Sequence, residues 1–404
     1  MRPMQESGSL YALPAIVFGL FAAAWWGALQ LPKETPAEIP AASPVALPTL
    51  TGLEACVPLR EPAARYSCFR ATLEPHLQER APRDILSDLD RLQEEQLAFR
   101  SHCHEMAHVL GRLWIARGSP LADGFVAGSS VCHSGFFHGM VERVFIGESA
   151  AALEPTHLSV QELLERAPVV CTTSALGTAK WSLRYQCLHG LGHAAAFSLA
   201  YDLPQALRVC DALPEKWDRH SCAGGAFMEN ITGSDRERRM LRSDDPHYPC
   251  RSVDEKYRND CYIMQTSWLV EQSIPWEKIV ALCQEAGPHR LACFQSLGRD
   301  LSPLARTDNP AVPTAICEKL PADERSSCIQ GTVYALADHS WDGRFAYPFC
   351  TAFSEMARET ECFREAHGHL INLLDQSRET AETGCRRLES PHTEQCLSVL
   401  PDLE

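Results

Sequence analysis

The sequence predicts an all-α protein built from disulfide-stapled helical hairpins, and three observations carry that expectation. First, sixteen of the eighteen cysteines fall into consecutive couples 10 to 16 positions apart: Cys56/Cys68, Cys171/Cys187, Cys210/Cys222, Cys250/Cys261, Cys283/Cys293, Cys317/Cys328, Cys350/Cys362 and Cys385/Cys396. Second, the later members of the couples recur about every 35 residues over the C-terminal half, the period of a two-helix repeat. Third, each of these later cysteines opens an apolar stretch, as in Cys328 to Ala337, whereas the residues inside a couple are polar and often contain proline, as in Leu320-Pro321-Ala322. That is turn chemistry between two helices. Each bridge then clamps the end of one helix to the start of the next, giving an α-solenoid-like array. Strand signals are scarce, with Val141–Ile146 leaving room for one small β element.

Taken in chain order, residues 1–10 read as a short cytoplasmic tail. Residues 11–31 form an apolar stretch long enough to span a bilayer as a transmembrane signal-anchor. Trp25 and Trp26 stand toward its outer end, at the level where aromatic rings favour the interface. A cleaved signal peptide is the alternative, but a clean cleavage box is missing. Residues 32–53 carry Pro32, Pro36, Pro40, Pro44 and Pro48, the composition of a stiff, extended spacer. Residues 54–200 form a histidine-rich helical domain, which begins with one or two helices up to residue 100 and carries the metal site described below. Residues 201–404 form the cysteine-paired repeats.

Such cysteine usage belongs to an oxidising compartment unless the thiols bind metal, and Cys-x-x-Cys spacing is absent throughout. The expected placement is therefore membrane-anchored, facing the periplasm or the cell exterior. A net charge of −15 argues against nucleic acid as a partner. Neither a Gly-rich phosphate loop nor a Gly-x-Ser-x-Gly elbow is present. The layout is analogous to tetratricopeptide or Sel1-like solenoids, whose signature residues are missing. By that analogy the concave face of the repeats is the place for a protein or peptide partner.

Function concentrates where the cysteine pattern breaks. Cys103 and Cys132 belong to no couple, and each directly precedes a histidine. Three stretches share a cysteine followed closely by two histidines: Cys103-His104-Glu105-Met106-Ala107-His108, Cys132-His133 through His138, and Cys187-Leu188-His189 through His193. On a helix, His104/His108 and His189/His193 are i, i+4 pairs on one face, able to share an ion. His133/His138 is one residue out of that register, so it fits with His133 at the N-cap or with one ligand only. A lone histidine after a helix-initial cysteine is ordinarily a packing residue. Met228 and Tyr334 take the second histidine's place in later repeats, however, so packing does not require it.

The expectation is a transition-metal site built from His104, His108, His189 and His193 with His133 or His138. Imidazoles suit copper, zinc or iron alike. Cys103 and Cys132 are expected to bond to each other and tie two histidine helices together, or else to join the histidines as thiolate ligands.

His104-Glu105-Met106-Ala107-His108 also matches His-Glu-x-x-His, in which the glutamate acts as general base of a zinc peptidase. This makes Glu105 the candidate catalytic residue, although Trp114 stands where a metzincin has its third histidine. The competing expectation is a metal-free scaffold that captures a protein partner. Glu142 and Glu229 are candidate carboxylate ligands or simply solvated, and His367 and His369, two apart, read as structural. Asn230-Ile231-Thr232 is a glycosylation sequon, and Ser234–Arg242 reads as a mobile surface loop.

Overall fold

The computed structural model describes residues 50–147, 158–233, 236–306 and 309–401. The expected tail (1–10), membrane span (11–31) and nearly all of the spacer (32–53) lie outside them. No described helix is long and apolar enough to cross a membrane. The described residues are all-helical, with no strand among them. Val141–Ile146 is the end of a helix rather than a β element. Val141, Phe145 and Ile146 are buried while Val144 faces solvent, which is helical periodicity and not strand alternation.

The helices that follow one another around the fold are α1 (Pro62–Glu79), α2 (Cys103–Ala116), α3 (Gly135–Ile146), α4 (Trp181–Ser198), α5 (Lys216–Thr232), α6 (Arg258–Glu271), α7 (Arg290–Arg306), α8 (Ala322–Ser340) and α9 (Met356–Gly368). Each packs against the next in sequence. Further helices lie between and after them. Their starts follow local chemistry: Pro82 occupies the first turn of Pro82–Glu95, Asp202 caps Leu203–Asp211 through the Gln205 amide, and Ser377 caps Arg378–Cys385. Residues 54–100 hold three helices, because Pro82 starts one and a break at Gln96 starts another.

All eighteen cysteines are paired in nine bridges, and none is free. The bridges are Cys56–Cys68, Cys103–Cys132, Cys171–Cys187, Cys210–Cys222, Cys250–Cys261, Cys283–Cys293, Cys317–Cys328, Cys350–Cys362 and Cys385–Cys396. From Cys210 onward the earlier cysteine ends a short helix, except that Cys250 lies in a turn. The later cysteine lies in the helix that follows, except Cys132, which lies in the turn before α3.

The position of the later cysteines corrects the sequence reading, which had them open their helices. Cys68, Cys187, Cys222, Cys328 and Cys362 do not; each sits six positions beyond its helix's first residue, at Pro62, Trp181, Lys216, Ala322 and Met356 respectively. Cys261 and Cys293 come three positions after Arg258 and Arg290, and Cys396 four after His392. The polar residues before these cysteines thus belong to the first turns of helices rather than to loops. A bridge placed this far inside ties helix flank to helix end.

Three helix pairs approach backbone to backbone. A Cβ added at Gly111 would lie 2.1 Å from the Phe136 carbonyl oxygen, and one at Gly139 would lie 2.1 Å from that of His108. The same reciprocal contact joins α4 to α5 through Gly192 and Gly225, and α7 to α8 through Gly298 and Gly331. Only glycine permits this closeness. It fixes each pair as a rigid unit without long side chains between.

The succession then closes on itself. The Gln93 amide lies 2.9 Å from His339 Nε2, Glu94 accepts from Arg306 at 2.6 Å, and Asp90 accepts from Arg344 at 2.6 Å. Asp375 caps the start of α4, accepting from the Ser182 amide at 2.7 Å. The inner faces surround one chamber of about 1020 Å³. Six residues that each follow the later cysteine of a bridge by six positions all line it: His138, His193, Met228, Ser267, Arg299 and Tyr334.

Candidate metal centre

Five histidines converge on one wall of the chamber: His104 and His108 from α2, His138 from α3, and His189 and His193 from α4. Ligand atoms of His104, His108 and His138 all lie within 4.8 Å of one another. The His138 ring centre stands 5.4 Å from His104, 5.5 Å from His108, and 5.2 Å from both His189 and His193. As expected for i, i+4 pairs, the rings of His104/His108 and His189/His193 are neighbours at 4.5 and 5.0 Å.

The outer nitrogens of four of these rings are held by acceptors. His104 Nδ1 donates to the Cys132 carbonyl at 2.8 Å, and His108 Nδ1 faces a Glu142 oxygen at 3.1 Å. His193 Nδ1 donates to Glu229 at 2.9 Å, and His138 Nε2 to the Gln186 side-chain oxygen at 2.9 Å. Carbonyls and carboxylates only accept, so the proton of each neutral ring is on the outer nitrogen and the inner nitrogen is a bare lone pair. His104 Nε2 and His108 Nε2 lie 3.0 Å apart, and with both outer nitrogens carrying the protons their lone pairs oppose each other. His138 Nδ1 and His193 Nε2 are buried without any hydrogen-bond partner. Opposed lone pairs and orphaned buried acceptors are unfavourable unless a cation sits between them. Outer acceptors that orient metal-binding imidazoles are the usual accompaniment of a metal centre.

Electrostatics agree. Burial, reinforced by the neighbouring histidines, pushes His104, His138 and His189 well below the ordinary imidazole value. They are unprotonated at neutral pH and available as ligands. Burial alone would raise Glu142, but Arg112 and His108 outweigh it and hold the carboxylate ionised. Arg112, Arg65 and Arg299 are matched by Glu142, Glu105 and Asp300. Glu229 is instead met by His193 and Tyr201, and Asp338 by His369. These two carboxylates, paired with no arginine among the described residues, leave the chamber with an electrostatic preference for a cation.

His133 does not join the five. Cys132, His133 and Ser134 all have positive φ (58°, 53° and 62°), and this left-handed turn precedes a helix that starts only at Gly135. The turn aims the Cys132 carbonyl at His104 and sends the His133 ring to His339, with nitrogens 3.1 Å apart. Of the two alternatives, His138 is the one placed with the cluster. Cys103 and Cys132 are bonded to each other, so neither is a thiolate ligand. The remaining bridged cysteines, Cys68, Cys261, Cys293 and Cys362 among them, do not line the chamber. Their part is to staple the helices that bear its lining, not to touch what enters it.

Glu105 lines the chamber, but its carboxylate accepts both contacts from Arg65 Nε (2.9 and 3.1 Å) and lies 3.3 Å from His102 Nδ1. Although burial would raise it, His102 and Arg65 hold it low. It follows His104 by one residue and so points off the histidine face. In this arrangement the carboxylate is turned to Arg65 and His102.

Glu142 and Glu229 face the outer nitrogens of His108 and His193. Gln186 and His339 carried no signal in sequence, since each acts through a contact across the fold. His367 is buried between the Tyr347 hydroxyl (2.9 Å) and the Cys396 carbonyl (3.0 Å), and His369 stacks on Tyr334. Asn230 is buried, and its side chain pairs with the Met240 backbone in both directions (2.8 and 3.3 Å). The sequon is thus inaccessible in the folded chain. Within the described part of the nearby acid/base run, residues 236–242, Arg239 is clamped by Glu271.

By fold and site, the chain is an all-helical, disulfide-rich protein whose clustered histidines are geometrically able to hold a metal. No protein-family model, no curated protein and no solved structure matches it.

Proposed function

We propose that this chain is an extracytoplasmic, membrane-anchored metalloprotein of helical-hairpin repeats that binds a transition metal through His104, His108 and His138, with His189 and His193 beside them. The observation that carries the reading is the pair of imidazole nitrogens facing each other at 3.0 Å, each ring turned on its far side to an acceptor-only partner. Tetrahedral metal–nitrogen bonds of about 2.0–2.1 Å place ligand atoms roughly 3.3 Å apart. The facing pair at 3.0 Å need only widen slightly, and the His138 ligand atom, within 4.8 Å of both, close in, to reach that spacing. An all-imidazole set accepts copper, zinc or iron.

Structural metal sites are closed, whereas this one faces a chamber large enough for a small organic ligand. The metal's chemistry is therefore directed at a molecule that enters the chamber, either hydrolytically or by redox exchange. Trp181 and Trp217, stacked at 3.7 Å, give one wall an aromatic surface. The metal-free scaffold reading is weaker, because the repeats' inner faces look onto this chamber and its histidines present unpaired lone pairs. Nine bridges and the apolar stretch at 11–31 support the oxidising, membrane-anchored placement.

The test is elemental analysis of the chain purified from an oxidising compartment without a histidine tag. A stoichiometric metal that is absent from a folded His104→Ala/His108→Ala variant is the expected result. A folded wild-type protein that holds no metal and takes up no added copper, zinc or iron would overturn the reading.

A further inference from the structure

The cluster is two half-sites, and we infer that it holds two metal ions, the second on His189 and His193. This inference rests on the metal reading above and deepens it. The two helix pairs repeat one arrangement. In the first, α2 carries His104 and His108, and the next segment supplies a backbone carbonyl (Cys132) and a carboxylate (Glu142) to their outer nitrogens. In the second, α4 carries His189 and His193. The following helix brings its backbone at Ser221 to the His189 ring, without a hydrogen bond of ordinary geometry, and its Glu229 carboxylate to His193 Nδ1.

Each pair is locked by reciprocal glycines, Gly111/Gly139 in one and Gly192/Gly225 in the other. Each therefore presents an i, i+4 imidazole pair from a fixed backbone.

One ion does not use this arrangement fully. The ligand atoms that lie within 4.8 Å of one another are those of His104, His108 and His138. The His193 ring centre is 6.4 Å from that of His104 and 5.8 Å from that of His108, but 5.0 Å from that of His189. His193 Nε2 is buried and unpartnered, although its ring is fixed by Glu229. An ion on the first half-site thus leaves the second with its own orphaned acceptor. His138, at nearly equal distance from all four other rings, stands between the two ions. Both face the chamber, and a small ligand with two donor atoms can bridge them.

The full chain, stripped with chelator and titrated with copper(II) alone, tests this. The expected result is two equivalents per chain, with an electron paramagnetic resonance spectrum showing coupling between neighbouring ions. His189→Ala/His193→Ala should take one equivalent with an uncoupled spectrum. Glu229→Gln keeps every imidazole and an acceptor oxygen but removes the negative charge behind His193, so it separates ligand loss from misfolding. It should weaken the second equivalent alone, by about 10–100-fold.

One equivalent in the wild type, lost with His104→Ala/His108→Ala and kept in His189→Ala/His193→Ala, overturns the second site and leaves the metal reading standing. Two equivalents that survive His189→Ala/His193→Ala also overturn it. A wild-type chain that binds no copper overturns both.

Discussion

Gly225→Ala probes whether backbone closeness sets the metal site. The added methyl would sit 1.9 Å from the His189 carbonyl oxygen and 2.8 Å from its carbon, whereas real Cβ contacts stay beyond 3.0 Å. The opposing atoms are backbone, so no side chain can swing away. Helices α4 and α5 must part by roughly 1 Å, which also opens the reciprocal contact at Gly192. Overpacking of this kind costs about 1–3 kcal/mol. The residue struck is His189 itself, so its ring and that of His193 move relative to the other three imidazoles by a distance comparable to half a metal–ligand bond.

The expected outcome is a lower urea midpoint together with at least about a tenfold loss of metal affinity, the order of effect produced by disturbing ligand support. Gly368→Ala is the control. Its backbone is helical (φ −57°, ψ −44°) and an added Cβ meets nothing within 4 Å, so alanine should stabilise by up to about 1 kcal/mol. Urea unfolding under oxidising conditions and metal titration read both variants. A Gly225→Ala protein within about 0.5 kcal/mol of wild type and with unchanged metal uptake would refute the argument that this contact positions the histidines.

Three further outcomes are expected. His133 is held at about 4 by desolvation inside the chamber and by Arg306, against an ordinary 6.5, so the unfolded chain binds its proton first as pH falls. Stability of the metal-free protein, fully present above about 6.5, should decline as pH drops toward 4, and His133→Gln should shallow that slope; urea midpoints identical at pH 7 and 5 would count against it. Glu142→Gln removes the counter-charge of buried Arg112 and the anchor of His108, so unfolding free energy should fall by about 3 kcal/mol and metal affinity with it. Asn230→Ala breaks both contacts with Met240 and should cost about 1–3 kcal/mol in urea unfolding, with no glycan found at Asn230 in wild-type protein from a glycosylating host.

What the sequence made legible was periodic. Cysteine spacing announced helix–turn–helix units, because a bridge across a short polar turn demands two antiparallel helix ends, and i, i+4 spacing announced which imidazoles share a face. Helix starts were less legible. The polar residues before Cys68, Cys222 and Cys362 read as turn, yet they are helix whose exposed face needs no apolar residue. What escaped the sequence otherwise depended on backbone exceptions and on contacts across the ring. His138 rather than His133 joins the cluster because three consecutive left-handed residues precede α3, a conformation that Cys-His-Ser does not advertise. The pairing of Glu105 with Arg65, forty positions earlier, was likewise invisible in the sequence. Asn230 looked like a surface acceptor because the Met240 backbone that buries it follows a charged run. His339 closes the chamber against Gln93 and His133 from more than 200 positions away.

The third helix pair shows why the histidines call for a ligand. Helices α7 and α8 approach through Gly298 and Gly331 as closely as α4 and α5 do, with built Cβ atoms 1.9 Å from the opposing carbonyls. They carry the same kind of bridges, Cys283–Cys293 and Cys317–Cys328. Yet where α4 carries His189 and His193, the matching positions of α7 are Gln295 and Arg299, which line the same chamber. Arg299 is engaged there by Asp300 and Ser267. One backbone solution therefore accommodates imidazoles or a paired arginine, and packing does not choose between them. Where arginine occupies the register, its hydrogen bonds are met within the protein. Where histidine occupies it, inner nitrogens are not met, although the outer nitrogens of His104, His108, His138 and His193 have been supplied with acceptors from neighbouring segments. A fold that satisfies the outer half of these rings and leaves the inner half open, at two equivalent places facing one chamber, is arranged for something that binds between them.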